Sequence, residues 1–339
     1  MENLRKLASI RKISHIQSIP GADMIELAIV DGWKVVVAKN VGHKVGDMVV
    51  YCEIDSFLPI KEEFEFLRKS SYKKMSDGTE GFRLRTIKLK GQVSQGLILP
   101  LKDLQLPNKD LIEVGMDVTK ELGIIKYEPP IPAELSGKVK GLFPSFLRKT
   151  DEERIQNLSD EYENLKQHKF YVTEKLDGSS ATFYYKDGMF GVCSRNLELL
   201  ESEGNTFWKV ARQLDLENKM RDFGLNISIQ GELIGSNVNG NIYKLNYHDV
   251  KFFNVFDIDN QEYYDLDMFK SVCNRLGVKT VPILDEKFKL PDNIDVLLLQ
   301  AEGKSVINEN SDREGLVIRS LDRKTSFKVI SNKFLLKNE

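Results

Sequence analysis

Cysteine and histidine are scarce in this chain, and neither falls in a pattern that does chemistry. The three cysteines, Cys52, Cys193 and Cys273, are scattered and odd in number. That speaks against a disulfide framework and makes an intracellular, reducing compartment, cytoplasmic or nuclear, the expectation. The four histidines, His15, His43, His168 and His248, show no metal-ligand spacing. Zinc and Ser-His-Asp chemistry are left with little support. Long apolar runs are missing as well. Met1-Glu2-Asn3-Leu4-Arg5 is no signal core, and no stretch approaches the ~18 apolar residues of a membrane span. No signal peptide and no membrane partner are expected. An excess of one charge is also lacking: 49 basic residues face 51 acidic ones, for a net charge of -2. This argues against bulk coating of nucleic acid and leaves room for a local basic groove.

What is present is apolar content, 41% of 339 residues, enough for about two domains of ~100–200 residues. The N-terminal third reads as strands and turns. The stretch from Leu7 to Ile19 alternates loosely and stops at Pro20-Gly21. Those from Met24 to Val30 and from Trp33 to Ala38 flank Asp31-Gly32, a two-residue hairpin signal. Gly46-Asp47 opens Met48 to Ile54, and Phe82 to Leu101 supplies one or two more strands. Short strands so punctuated predict a small closed β-barrel such as an OB-fold. Between the fourth and fifth strands, Glu65 to Gln92 carries eight Lys/Arg against Glu65, Asp77 and Glu80, a net +5. Phe66, Tyr72 and Phe82 interleave. The segment reads either as a solvated loop or as a surface that tracks phosphates and stacks bases on aromatics.

Glu128-Pro129-Pro130-Ile131-Pro132 cannot continue a helix or an inner strand. The expected division is therefore a barrel over 1–105, a connector over 106–134 and a second domain over 135–339. Thr150, with Glu153 three residues on, predicts a helix running to about Gln167. Beyond Lys169 strands and helices mix. Phe170 to Thr173 is a strand, and Asp187-Gly188 joins Ala181–Tyr185 to Met189–Cys193 as a hairpin. Asn205 to Arg221 reads as one amphipathic helix. Ile227 to Ile234 and Val250 to Ile258 read as buried strands, Leu266 to Leu276 and Asn293 to Leu299 as helices. Gly315 to Arg319 and Ser326 to Ile330 close the chain as strands. The fold class is α+β: an N-terminal OB-like barrel followed by a mixed sheet-and-helix domain.

Between two strands of that second domain lies Thr173-Glu174-Lys175-Leu176-Asp177-Gly178-Ser179-Ser180. A free lysine has a pKa of ~10.4, so the neutral nucleophilic amine is rare at pH 7. Lowering it by about 3 units takes on the order of 4 kcal/mol, which a divalent metal or a cationic neighbour can supply. Asp177 shares a strand face with Lys175 by the period of two, and Gly178 lets backbone approach a phosphate. Alone, Lys-x-Asp-Gly also fits a surface hairpin. Further acids lie in apolar strands: Glu232 in Gln230–Gly235, Asp257 in Phe252–Ile258 and Glu314 ahead of Gly315–Arg319. Lone acids there are costly unless paired or metal-bound. Each singly fits a structural ion pair. Together, with Lys175, Arg195 and Lys328, they describe a site for a triphosphate and Mg²⁺.

In this order the segments resemble the covalent nucleotidyltransferase superfamily of DNA ligases, RNA ligases and mRNA capping enzymes. Lys175-Leu176-Asp177-Gly178 resembles its motif I, Glu232 motif III, Phe256-Asp257 motif IIIa, Glu314-Gly315 motif IV and Lys328 motif V. Arg195 falls where the RNA ligases keep an arginine. DNA ligases and capping enzymes carry an OB domain after motif V, whereas eleven residues follow Lys328 here and the expected barrel lies in front. That layout, with Phe143–Phe146 and Lys149–Asn157, is similar to the Deinococcus-type ATP-dependent RNA ligases. The resemblance implies an antiparallel-sheet nucleotidyltransferase (adenylyltransferase) domain that joins RNA 3'-OH and 5'-phosphate ends with ATP and Mg²⁺ or Mn²⁺. It implies Lys175 as the residue that takes AMP, and a metal at Asp177, Glu232 and Glu314, directly or through water. Arg195 and Lys328 would hold phosphate oxygens, Glu232 the ribose, Phe256 the adenine, and Glu174 the adenine through backbone or side chain. Two positions depart from the pattern. Ser180 stands where DNA ligases carry arginine, and Ser326 stands at the first lysine of motif V. The missing phosphate contact is then expected from Arg148, Lys149 or Arg154. The rival readings are a DNA ligase, a GTP-using capping enzyme and a non-catalytic RNA-binding protein; for the RNA ligase a monomer is expected.

Overall fold

The computed structural model describes residues 6–75, 78–104, 106, 112–127 and 139–338. The chain divides into two units: Met1–Pro130 with Ile155–Tyr162 and Leu335–Glu339, and Ile131–Arg154 with Glu163–Phe334. The Pro-rich boundary, Asp77 and residues 107–111 of the expected connector lie outside the described residues. Among those described, no helix is long and apolar enough to cross a membrane, and Cys52, Cys193 and Cys273 are free and buried.

The first unit opens with β1 (Ala8–Ser18), β2 (Ile25–Val30), β3 (Trp33–Ala38), β4 (Met48–Cys52) and β5 (Ser56–Pro59). The basic segment then supplies β6 (Tyr72–Lys74), β7 (Glu80–Arg83) and β8 (Ile87–Leu89), followed by β9 (Gln92–Ser94), β10 (Leu97–Pro100) and β11 (Ile125–Lys126). One sheet runs β10-β4-β1-β2-β3. Gln95 N–H donates to Lys34 O at 2.8 Å and Val36 N–H to Ser94 Oγ at 2.9 Å, which ties β3 to the chain entering β10 and curls the sheet back on itself. Alternation decides the faces: Trp33, Val35 and Val37 point inward from β3, as a period of two requires.

A second sheet, β11-β5-β7-β6, carries the basic segment. Its charge is partly spent internally, with Arg68 on Glu65 at 2.6 Å and Lys74 on Glu80 at 3.0 Å. Phe82, expected among the stacking aromatics, is fully buried in the core with Leu58 and Phe64. Phe66 and Tyr72 remain exposed. The Arg83 guanidinium lies 4.3 Å from the Tyr127 ring.

The helix predicted from Thr150 does not form. Instead Glu153–Arg154 is a strand, Ile155–Leu158 a 3-10 turn and Tyr162–Leu165 one helical turn. Tertiary pairing overrides the local capping signal. Within the first unit, Trp33 Nε1 donates to Asn157 Oδ1 at 2.5 Å and Asn157 Nδ2 to the buried Glu53 at 2.6 Å. Gly32 N–H donates to Gln156 O at 3.1 Å. A Cβ at Gly32 would lie 2.8 Å from Gln156 Cα. Gly32→Ala should therefore destabilise the protein by ~1–3 kcal/mol, read as a lower midpoint of thermal unfolding.

The second unit holds β12 (Val139–Leu142), β13 (Glu153–Arg154), β14 (Phe170–Lys175), β15 (Ser179–Lys186), β16 (Met189–Cys193) and β17 (Leu197–Leu199). It continues with β18 (Ile227–Gly235), β19 (His248–Asp257), β20 (Glu262–Tyr263), β21 (Ile283–Phe288), β22 (Gly315–Ser320) and β23 (Ser326–Ile330). They form two sheets, β12-β17-β16-β15-β18-β19-β20 and β13-β23-β22-β14-β21. Helices pack on the seven-stranded sheet through Trp208, Met220 and Phe269 against Phe183, Ile229 and Phe252. The helix expected from Asn205 to Arg221 is two, Thr206–Gln213 and Leu216–Phe223, broken at Asp215 with φ 54°. Phe207 and Leu216 are nine residues apart, about two and a half turns, so a straight helix puts them on opposite faces. Both are buried, and the break allows it. Arg323 donates to Asn254 of β19 at 2.8 Å, and Arg319 of β22 lies 5.6 Å from the Phe253 ring. The two sheets thus meet through these side chains.

Candidate active site

Lys175 ends β14, opposite Gly315 of β22. Its Nζ donates to Glu314 Oε1 at 2.7 Å. The chain then turns through Leu176-Asp177-Gly178 into β15, where Ser180 pairs with Glu232 of β18. Three acids from three places in the sequence therefore surround one lysine. Gly178 is needed here for a reason other than phosphate approach: a Cβ would lie 2.3 Å from Leu233 O and 2.9 Å from Glu232 Cγ. The glycine lets the turn press against the strand that carries Glu232.

The electrostatics follow from burial and crowding. Burial, with the charges of Glu314 and Asp177 adding and Lys175 opposing, pushes Glu232 up to about 8. Burial and Glu314 push Asp177 up to about 7. Burial alone would lower Lys175, but Glu314 and Glu232 outweigh it and hold the ammonium above its ordinary range. Glu314 Oε2 is buried and has no hydrogen-bond partner. An all-oxygen donor set with an orphaned carboxylate oxygen fits a hard divalent cation. Among the described residues no three His, Cys, Asp or Glu converge to ligate one ion directly.

The cations expected at the phosphates also meet. Arg195 Nη2 lies 3.1 Å from Asp151 Oδ2 and Lys328 Nζ lies 3.0 Å from Asp151 Oδ1, so one carboxylate bridges them. Arg154 is buried and pairs in register with Lys328 across β13 and β23. Lys149 is exposed, and Arg148 caps the Phe256 ring at 5.5 Å. Ser326 has a cationic cross-strand partner, Arg319. Arg319 contacts Glu152 at 3.1 Å and donates to Thr173 Oγ1 at 3.2 Å, while Ser326 Oγ donates to Glu152. The positive charge missing at Ser326 stands one strand away.

Two expectations are corrected, at Phe256 and at Asp257, and Glu174 faces away from the cluster. Phe256 is fully buried with Leu147, Tyr184, Cys193 and Ile258 and cannot receive an adenine. Strand alternation turns Glu174 away from Lys175. Its Oε2 accepts from Val306 N–H at 2.8 Å, while its Oε1 is buried without a hydrogen-bond partner. Asp257 accepts from Asn260 N–H at 2.9 Å and Nδ2 at 3.0 Å, capping a turn at the far end of β19. Sequence reading missed Asp151 and Glu152, taken as part of a helix start. It also missed Tyr243, whose hydroxyl accepts the Asp177 N–H at 2.7 Å. Only its place in a loop after a site strand hinted at Tyr243.

Comparison with known proteins meets this geometry directly. A family model described as RNA ligase matches residues 168–330, and one described as an OB-fold domain matches residues 7–101. Among solved structures, Naegleria gruberi RNA ligase with pyrophosphate superposes with a TM-score of 0.91 at 44% identity, covering 98% of each chain. The chain belongs to the RNA ligase family. A variant of the Naegleria ligase with ATP and manganese gives a TM-score of 0.90 at 44% identity, again over 98% of each chain. Another, with AMP and manganese, gives 0.92 at 43% identity over 99% of this chain and 100% of that one. No curated protein matches. In this RNA ligase the matched region runs from just before β14 to the end of β23, and so contains Lys175, Arg195, Glu232, Glu314 and Lys328.

Proposed function

We propose that Lys175 is the nucleophile with which this ATP-dependent RNA ligase takes up AMP, and that Asp177, Glu232 and Glu314 serve a divalent cation beside it. The observation that carries the reading is the Lys175–Glu314 pair at 2.7 Å, within a nest of carboxylates too crowded to stay ionised without a cation. Bound there, Mg²⁺ or Mn²⁺ would neutralise the acids, release the lysine proton and stabilise charge building on phosphate.

The residues then divide the work over three displacements. Lys175 Nζ attacks the α-phosphorus of ATP; an N–P bond forms and the bond to pyrophosphate breaks. An RNA 5'-phosphate oxygen next attacks that phosphorus, the N–P bond breaks and Lys175 regains its proton. A 3'-OH finally attacks the activated 5'-phosphorus, losing its proton as AMP leaves. Arg195 and Lys328 hold phosphate oxygens once Asp151 gives them up, and Arg154 and Arg319 add positive charge behind Lys328. Glu232 is placed for the ribose. For the adenine, Phe253 replaces Phe256: it is half-buried, at the bulge in β19, and lies against Arg319. The basic segment from Arg68 to Lys90, with Phe66 and Tyr72 exposed, suits the strand that ends in 3'-OH.

A barrel ahead of the ligase domain supports the Deinococcus type, and matches over 7–101 and 168–330 support a functional division into 1–105, 106–134 and 135–339. The enzyme acts as a monomer on nicked or broken RNA inside the cell. Incubation with labelled ATP or GTP, then with all-RNA, mixed and all-DNA nicks, tests the assignment. Adduct from ATP alone and sealing of RNA 3'-OH ends is expected. Labelling by GTP, or sealing confined to DNA, contradicts it.

A further inference from the structure

The loop between β18 and β19 is shaped toward the lysine turn. From Gly235 to Lys244 six residues have positive φ: Gly235 (133°), Asn237 (61°), Asn239 (41°), Gly240 (70°), Asn241 (46°) and Lys244 (55°). Four carry a side chain, for which this backbone region is disfavoured. Side-chain bonds hold the shape. Asn241 Nδ2 donates to Leu245 O at 2.7 Å and its Oδ1 accepts from Leu245 N–H at 3.0 Å. Asn308 Nδ2 donates to Tyr243 O at 3.2 Å.

The loop delivers two groups to the turn after Lys175. The Tyr243 hydroxyl accepts the Asp177 N–H at 2.7 Å. Asn239 Nδ2 donates to Gly178 O and reaches Asp177 Oδ1 at 3.4 Å. Tyr243 is buried among Leu176, Ile234 and Val281, where a phenylalanine ring would pack equally well. The hydroxyl is the part that packing does not explain. Its oxygen is engaged, and among the described residues its proton has no acceptor. The phenol stays neutral: burial holds its proton on, aided by the nearby charges of Glu314 and Asp177.

We propose that Tyr243 and Asn239 are positioning residues for lysine adenylylation, clamping the Asp177–Gly178 turn so that the Asp177 carboxylate is presented beside Lys175. This rests on the reading of Lys175 as nucleophile, and one of its tests does not depend on that chemistry.

Tyr243→Phe is compared with wild type in single-turnover formation of the enzyme–AMP adduct. The rate at saturating ATP should fall ~10–100-fold, the scale of a slightly misplaced catalytic group, with half-saturating ATP unchanged within about twofold. In the ATP-free protein, hydrogen exchange at the Asp177 amide should accelerate at least ~10-fold while the core strands keep their protection. An unchanged rate, or an unchanged Asp177 amide, overturns the clamp. Should Tyr243→Phe lose its tertiary structure, Asn239→Ala, at an exposed position, carries the test through the same adduct-formation rate, and an unchanged rate overturns the clamp. Absence of adduct in the wild type would contradict the nucleophile assignment and leave the exchange measurement able to decide the clamp.

Discussion

Lys175→Ala should yield a folded protein that forms no adduct with labelled ATP. The side chain ends a strand and keeps about a quarter of its exposure. Its removal breaks an ion pair, but Glu232 already favours its proton and the crowded acids can take up another. The stability cost should therefore stay below the ~3–5 kcal/mol of breaking a fully buried pair. The chemistry has no such relief. Among the described residues no other lysine pairs with Glu314, and the neighbouring cations Arg195 and Lys328 are tied to Asp151. Labelling by acid-precipitated radioactivity should fall to background while the unfolding midpoint stays within several degrees. Labelling retained by the variant would place the nucleophile elsewhere.

Glu314→Gln has the second largest expected effect. The amide keeps the size of the side chain and removes its charge, both from Lys175 Nζ and from the orphaned Oε2. Adduct formation should slow by ~10²–10³-fold, the usual cost of losing one pre-positioned electrostatic group. The loss should appear in the maximal rate more than in the ATP concentration dependence, because Glu314 lies at the proposed nucleophile. It should also raise the Mg²⁺ concentration needed for half-maximal rate. A variant with wild-type rate and metal dependence would reduce Glu314 to a structural partner.

Much of this site was legible in the sequence for one physical reason. An acid in a strand of apolar residues is costly unless something cationic meets it, and Glu232 and Glu314 are such acids. Strand alternation did not bring Asp177 there: β14 ends at Lys175, and the turn through Leu176-Asp177-Gly178 sets the carboxylate beside the lysine. The same logic misfired at Asp257, where a turn backbone satisfies the carboxylate at the strand's end. It misfired at Phe256 because an aromatic in a buried strand faces the core or the other sheet, and which one depends on a bulge beside Phe253 that no local signal marks. The strands of the barrel were readable from alternation and from turns such as Asp31-Gly32. The stretch from Thr150 was not. Its capping signal is real, but Glu153–Arg154 gain a partner strand far along the chain, and Gln156 and Asn157 gain Gly32 and Trp33. Tyr243 was illegible for the same reason. Its role is set by what its hydroxyl meets in space, and its neighbours in sequence carry no trace of Asp177.

The most direct test of the account is the site of nucleotide attachment in the wild-type enzyme. The protein is incubated with ATP and Mg²⁺, digested under conditions that spare phosphoramidates, and its peptides sequenced by tandem mass spectrometry. The account predicts AMP on the Nζ of Lys175, discharged when pyrophosphate or a 5'-phosphorylated RNA is added. AMP on any other residue, or none at all, would contradict it.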